Sequence, residues 1–569
     1  KYPKHPFGWK VLGEVLRRTG EKAESIIVNK KALSLNPKDA EVHNNLGTVL
    51  KELGRLNDAE ISLKNAIKIS PNFAIYYYNL GNIYKERGKL ENAKLAFKKA
   101  ISLNSNFVQA FNNLGNTLRE LGELDKAKKT YERAIVIDPK FAEAYNNLGN
   151  VMRDLNKLEL AIKHYKNAIT LSSNFIDAYL NLLKLLEKSN QIGELELILK
   201  EIKNKNFSDD ASFLYFNLIK EFRKENYKNA DKLISKIKIG HLNNEKRLNL
   251  LKIKAQLFHY KEDFDSAFKF YGKMNHIVKE SEEFKKHNPE KFYSQLKKDK
   301  SQLETLKKNL IYLNIVQDDQ VKPKFMIGFP RSGTTLLDTI LRSHSKTIVI
   351  EEKPMLAETE KNLSKILHIS DIEKINVTKI KYLRNIYFNE VKKYSEIKEQ
   401  KIIIDKFPLN ILKIPLINKV FSNTKYIFVV RHPFDCILSC WMQNFKLNDA
   451  MSNMVDLDRI VDFYCLTMNI FELSKKRYKL DIHQIRYEDF VSNFKIEINS
   501  LLSFLDLKWE DQLMDYQQTA LRRGIINTPS YSQVVKPIYS TASNRWEKYE
   551  KYLNKYKNKI DPWINKFGY

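Results

Sequence analysis

Hydrophobic and polar positions over residues 1–180 recur with a fixed period. Leu-Gly pairs stand at Leu12-Gly13, Leu46-Gly47, Leu80-Gly81, Leu114-Gly115 and Leu148-Gly149, 34 residues apart each time. Alanines follow on the same lattice at Ala32, Ala66, Ala100, Ala134 and Ala168. Pro37, Pro71 and Pro139 share it, with Ser105 and Ser173 in the intermediate places. The spacing predicts paired helices. Gly sits where two helices approach closely, Ala where the second helix packs, and Pro where the next unit starts. The lattice decays after Asn181, where Leu183 replaces the glycine. Residues 205–320 still read as helices. Arg247–Met274 looks like a divergent repeat, with Ala267 in its second helix. Lys-rich Phe284–Leu310 reads as a solvated connecting helix. From Val321 the pattern changes. Short β-rich runs at Phe325–Phe329, Thr347–Ile350, Lys401–Ile404 and Tyr426–Val430 alternate with helix-like stretches. That alternation predicts a parallel α/β sheet.

The periodic half resembles the tetratricopeptide repeat, a 34-residue helix–turn–helix unit. No single unit can bury its apolar face, so the units are expected to stack into a solenoid with a concave surface. The expected domains are thus a solenoid over 1–204, a degenerate repeat-like helical region and linker over 205–320, and an α/β domain over 321–569. Asn44, Asn45, Asn112, Asn113, Asn146 and Asn147 offer side-chain amides that can pair with an extended peptide backbone. The competing use of these amides is packing between repeats.

Composition narrows the function. The chain has 569 residues, 43% of them hydrophobic and 29% charged, which is ordinary globular usage. No apolar stretch approaches the roughly 20 residues of a membrane span. The net charge is +29, but the excess is spread over all three regions rather than gathered in an arm. That pattern favours anionic ligands and argues against nucleic acid. The three cysteines, Cys436, Cys440 and Cys465, lie within 30 residues and cannot staple the chain, so either a reducing, cytoplasmic setting or a fold that does not rely on disulfides is expected. Lys1 stands where Met would begin a chain, which points to a lost N-terminal segment with room for a signal or anchor.

The candidate chemistry begins at Gly328-Phe329-Pro330-Arg331-Ser332-Gly333-Thr334-Thr335, between an apolar run and a helix pattern. Such a junction presents backbone N–H groups to an anion. The glycine spacing fits a nucleotide-triphosphatase loop, but Thr334 replaces its lysine, which weighs against NTP hydrolysis. Arg331 carries the positive charge instead. A second junction, Val430-Arg431-His432-Pro433, runs into Ser439. The two motifs together resemble those of the sulfotransferases. The resemblance covers roughly residues 322–569, and the site looks closest to that of the tyrosylprotein sulfotransferases; those enzymes lack the repeats, so the whole chain more nearly resembles a bacterial-type tetratricopeptide-repeat-containing sulfotransferase.

The resemblance implies 3′-phosphoadenosine 5′-phosphosulfate (PAPS) as co-substrate and no metal. It implies that Pro330, Arg331, Ser332, Gly333, Thr334 and Thr335 hold the 5′-phosphosulfate, and that Arg431 and Ser439 hold the 3′-phosphate. Tyr487, Gln533, Lys536 and Arg545 match further cofactor contacts. Glu352, the second of a Glu-Glu pair, matches the catalytic base, with Glu351 as its rival. Lys406 and Ser530 match the groups beside the sulfuryl. The family's second arginine of the 3′-phosphate motif falls at Gln443, Lys353-Pro354 replaces peptide-holding residues, and the luminal disulfides are unmatched. His432 and His344 read as structural or capping residues, and Cys436 and Cys440 as small buried apolar ones. The expected activity is sulfuryl transfer to a hydroxyl, foremost a protein tyrosine presented with help of the repeat groove. Carbohydrate, lipid and small-molecule hydroxyls are the competing acceptors. A non-catalytic scaffold that senses adenosine phosphates is the competing class.

Overall fold

The computed structural model describes residues 5–208, 210–306, 322–363, 369–396, 401–523, 528, 531–538 and 543–569. The chain divides into two units. One comprises Lys1–Glu187 with Gly193–Ser208, the other Lys188–Ile192 with Asp209–Tyr569.

In the first unit the period becomes helix pairs, beginning Pro6–Thr19 with Lys22–Leu35 and Ala40–Glu52 with Leu56–Ile69. The lattice glycines mark the closest approach within each pair. A Cβ on Gly81 would stand 2.6 Å from Phe97, and one on Gly115 would stand 2.6 Å from Tyr131. Ala32, Ala66, Ala100, Ala134 and Ala168 are all fully buried. The asparagines link successive repeats. Asn79 donates to Asn44 (2.8 Å), Asn113 to Asn82 (2.8 Å), Asn147 to Asn112 (2.9 Å) and Asn181 to Asn146 (2.9 Å).

The second unit is built on a five-stranded, wholly parallel sheet of order β2-β3-β1-β4-β5. Its strands are β1 (Lys324–Gly328), β2 (Thr347–Glu351), β3 (Ile402–Lys406), β4 (Lys425–Val430) and β5 (Asp481–Arg486). Strand β5 is half exposed at the sheet edge, and its polar run Asp-Ile-His-Gln-Ile-Arg hides it from a search for apolar strands. The chain crosses to one side of β1 for β2 and β3, then to the other for β4 and β5. A crevice therefore opens at the carboxyl ends of β1 and β4, the ligand-binding position of such sheets.

Helices between residues 211 and 305 belong to this unit. Leu251, Ala255, Tyr271, Leu296 and Leu303 share one hydrophobic core with Phe325, Ile327 and Phe428 of the sheet. The expected solvated helix is in fact Pro289–Thr305, packed against Leu457–Tyr478. Leu296 and Leu303 are buried, and Arg477 donates to the Leu303 carbonyl (2.9 Å). Two leucines seven residues apart fall on one helical face, and that stripe outweighs the lysines around it.

Candidate active site

Each strand delivers a candidate residue at its carboxyl end. Gly328 ends β1, Glu351 ends β2 with Glu352 next, Lys406 ends β3, Arg431 follows β4 and Tyr487 follows β5. Pairing of β2 with β3 sets Glu351 opposite Lys406, and pairing of β1 with β4 sets Gly328 opposite Val429.

The loop Phe329–Gly333 leads into helix Thr334–Arg342, whose N-cap Gly333 supplies no side-chain cap. The Leu336 N–H donates to the Gly333 carbonyl (3.1 Å), and those of Thr334 and Thr335 are left for another acceptor. Arg331 adopts φ 72° and Gly333 φ 105°. A Cβ on Gly333 would fall 2.5 Å from the Tyr487 ring, so that ring forms one wall of the loop. Ser332 is buried, and its Oγ has no hydrogen-bond partner among the described residues. A buried, unsatisfied hydroxyl beside two arginines suits an anionic ligand.

The two motifs meet in space. Arg331 Nε donates to Ser439 Oγ (3.1 Å), and Arg331 Nη2 donates to Gln533 Oε1 (3.4 Å). Arg431 Nη1 donates to the Arg331 carbonyl (3.4 Å), and its guanidinium lies 5.0 Å from the Tyr487 ring centroid. Thr335 Oγ1 donates to Thr528 Oγ1 (3.3 Å). Thus Arg331, Ser332, Gly333, Thr335, Arg431, Ser439, Tyr487 and Gln533 form one cluster, with Pro330 and Thr334 in the same loop and helix start. Lys536 points elsewhere, with Nζ 2.6 Å from Glu225. Arg545 opens a short turn in which the next N–H, that of Trp546, donates to Asp435 (3.0 Å) on the helix carrying Ser439. Gln443 accepts from Lys252 (2.6 Å). Ser530 lies outside the described residues.

Beside this cluster sits a buried charge group. Lys406 is 0% exposed, with Nζ 2.9 Å from Glu352, 3.1 Å from Glu351 and 4.0 Å from Asp338. Burial presses the Lys406 pKa down, but the three carboxylates outweigh it and hold the ammonium above its ordinary value. Glu352 takes φ 47°, its N–H donates to the Lys406 carbonyl (2.8 Å), and its side chain is 37% exposed. Glu351 by contrast is buried and paired to Arg523. Of the two glutamates, only Glu352 reaches both Lys406 and solvent. Left-handed backbone at Arg331 and Glu352, neither of them glycine, is the kind of strain found where side-chain direction matters.

Asp338, Arg342 and Arg523 were not foreseen. Asp338 is fully buried, pairs with Arg342, and lies 3.4 Å from Arg523. Burial raises its pKa, but Arg342, Arg523 and Lys406 bring it below the usual carboxylate value. The signal was a charged residue inside the helix run Leu336–Leu341, whose other members are four aliphatic residues and Thr339. Asp405 faces the other way. It accepts from Tyr387 (2.9 Å) and Asn410 (3.3 Å), and burial pushes it up to about 7. His432 stacks on Trp546 and burial depresses it to about 4, while His344 bonds the Lys508 carbonyl (2.9 Å). Cys440 donates to the Pro330 carbonyl (3.3 Å), tying the two motifs' elements together. The described residues hold no cluster of His, Cys, Asp and Glu suited to a metal and no helix long and apolar enough to cross a membrane.

Comparison with known proteins follows the same division. Residues 323–511 match the model of the Sulfotransferase family. TPR-repeat models match residues 29–61, 47–86, 81–122, 115–153 and 149–189. An uncharacterized protein of Aquifex aeolicus (strain VF5) is 27% identical over 408 residues, covering 68% of this chain and 51% of its own length. Protein-tyrosine sulfotransferase 2 of Gallus gallus is 20% identical over 39% of this chain and 62% of its own. Protein-tyrosine sulfotransferase A of Caenorhabditis elegans is 22% identical over 39% and 60%. The matched region thus spans between half and two thirds of these curated relatives. Among solved structures, MamA is 31% identical over 28% of this chain and 94% of its own (TM-score 0.27). YrrB, described as a TPR protein with an unusual peptide-binding site, is 21% identical over 31% and 90% (TM-score 0.27). The chain therefore joins a tetratricopeptide-repeat solenoid to a domain of the sulfotransferase family.

Proposed function

We propose that the domain transfers a sulfuryl group from PAPS to an acceptor hydroxyl, a protein tyrosine first among acceptors, and that the repeats help present that acceptor. The observation that carries this reading is the Lys406–Glu352 couple, 2.9 Å apart at the sheet's carboxyl edge beside the Arg331 loop. A clamp for adenosine phosphates has no use for a half-exposed carboxylate next to a buried ammonium. A transferase does.

PAPS supplies an activated sulfuryl group attached to its 5′-phosphate. Arg331, the uncapped helix start and the Ser332 hydroxyl would hold that end, with Arg431 and Ser439 at the 3′-phosphate. Tyr487 walls the loop and keeps the Arg431 guanidinium in place. Glu352 would accept the acceptor's hydroxyl proton as its oxygen attacks. A phenol with pKa near 10 needs such a base at neutral pH. Lys406 keeps its proton under the surrounding carboxylates, so it would place a fixed positive charge where negative charge develops on the leaving oxygen. Three unpaired cysteines fit a reducing, cytoplasmic setting.

The test pairs binding with transfer. Labelled PAPS is incubated with native-cell lysate and the protein, and affinity for the desulfated product 3′-phosphoadenosine 5′-phosphate (PAP) is measured by calorimetry. Glu352→Gln should keep PAP affinity and lower transfer about 10²–10⁴-fold. PAP binding without transfer by the unmodified protein would defeat the enzymatic reading.

A further inference from the structure

The buried cluster at the sheet edge balances three cations, Lys406, Arg342 and Arg523, against three carboxylates, Asp338, Glu351 and Glu352. Arg523 reaches this cluster from the end of helix Tyr516–Arg522. Its Nη2 pairs with Glu351, and its Nη1 lies 3.4 Å from Asp338. Both carboxylates also touch Lys406, at 3.1 and 4.0 Å. They compete with Glu352 for the same ammonium.

We infer that Arg523 is a positioning residue: by neutralising Glu351 and sharing Asp338 with Arg342 it leaves the Lys406 charge directed at Glu352 and the reacting groups. The inference rests on the sulfotransferase reading for its catalytic consequence, but not for its electrostatics. Removing Arg523 leaves one net negative charge in a dry cluster. An isolated buried charge is costly, so a carboxyl takes up a proton or Lys406 is drawn toward Glu351. The cluster as a whole then holds a proton to higher pH, and where Lys406 is drawn toward Glu351 its pair with Glu352 weakens. Among the described residues, the charged groups of this cluster around Lys406 and Glu352 are Glu351 from β2, Asp338 and Arg342 from helix Thr334–Arg342, and Arg523. Asp405 is turned toward Tyr387 and Asn410.

The experiment compares the full chain with Arg523→Gln, Arg523→Lys and the pair Arg523→Gln/Asp338→Asn. Readouts are the pH profile of kcat, KM for PAPS, PAP affinity, and the infrared band of protonated carboxyl groups at neutral pH. Arg523→Gln should lower kcat about 10- to 100-fold, with KM for PAPS and PAP affinity within about twofold. The acidic limb of its profile should move to higher pH, and a carboxyl band should appear. Arg523→Lys, which keeps the charge and secures against misfolding, should recover most of kcat. The paired variant restores charge balance, so the limb should return and the band vanish. An unmoved acidic limb, or a loss of kcat that charge balancing leaves in place, would overturn the inference. Should the unmodified protein transfer no sulfate, the sulfotransferase reading fails by itself. The absence of the carboxyl band in Arg523→Gln would then sink the Arg523 inference separately.

Discussion

Replacing Lys406 with Met keeps the volume and removes the charge. The structure makes the cost legible. Lys406 is fully buried among Asp338 at 0% side-chain exposure, Glu351 at 6% and Glu352 at 37%. The variant cluster holds two arginines against three carboxylates, two of them out of water. Breaking a buried pair from one side costs about 3–5 kcal/mol, because the partner charge is left uncompensated. A domain is stable by roughly 5–15 kcal/mol, so the loss is about a fifth of the total or more. The pH dependence fixes the cause. In the native chain Asp338 sits below its ordinary pKa, so its contribution is present above the unfolded value near 3.8 and is lost as pH falls through the folded value. Without Lys406, Asp338 loses one of the cations that hold its pKa down, and acid supplies the missing charge balance. Urea unfolding of both proteins across pH 4–8, followed by domain-specific tryptophan fluorescence, should show a deficit of about 3–5 kcal/mol at neutral pH that shrinks toward acid. A deficit below about 1 kcal/mol, or one that stays constant with pH, would refute the electrostatic account and leave only altered packing.

Three further outcomes are expected. Gly333→Ala forces a Cβ to within 2.5 Å of the Tyr487 ring at φ 105°, so PAP affinity by calorimetry should fall at least about tenfold. Gly115→Ala sets overpacking of about 1–3 kcal/mol against Tyr131 against a helix-propensity gain of about 1 kcal/mol, so amide exchange in Val108–Glu120 should speed up. In a Tyr131→Ala background the same change should be neutral or stabilising. His432→Phe keeps the stack on Trp546 but removes a group whose pKa burial depresses to about 4. The native unfolded chain gains that proton first as pH falls below about 6.5. Thermal melts of the variant should therefore lose less stability between pH 6.5 and 4.

The repeats were legible because one stereochemical demand recurs. Each lattice glycine meets the residue 16 positions later, from Asn29 opposite Gly13 to Tyr165 opposite Gly149. The asparagines were visible too, but their use was not, since an amide suits a peptide or a neighbouring repeat equally well. Four strands showed as apolar runs; β5 did not, because an edge strand with one buried side chain has no such run. Glu352 and Lys406 could be placed at strand ends, while their contact depends on β2 and β3 being neighbours, which only strand order decides. Arg523 and Asp338 are 185 residues apart, and no local pattern announces their meeting. The same holds for helices 211–305, whose ties to the sheet domain are long-range. Asn275 donates to the Trp441 carbonyl (2.8 Å), and His259 bonds Tyr549 (2.8 Å).

That last arrangement bears on what counts as the smallest fragment able to fold around the sheet. A fragment cut at residue 321 would contain every strand and both phosphate motifs. It would also carry a raw apolar face where Leu251, Ala255, Tyr271, Leu296 and Leu303 had lain. Trp441, two positions beyond Ser439, would lose Phe268 at 4.3 Å and Asn275 together. The sheet-bearing half therefore begins, in folding terms, near Ala211, more than a hundred residues before its first strand.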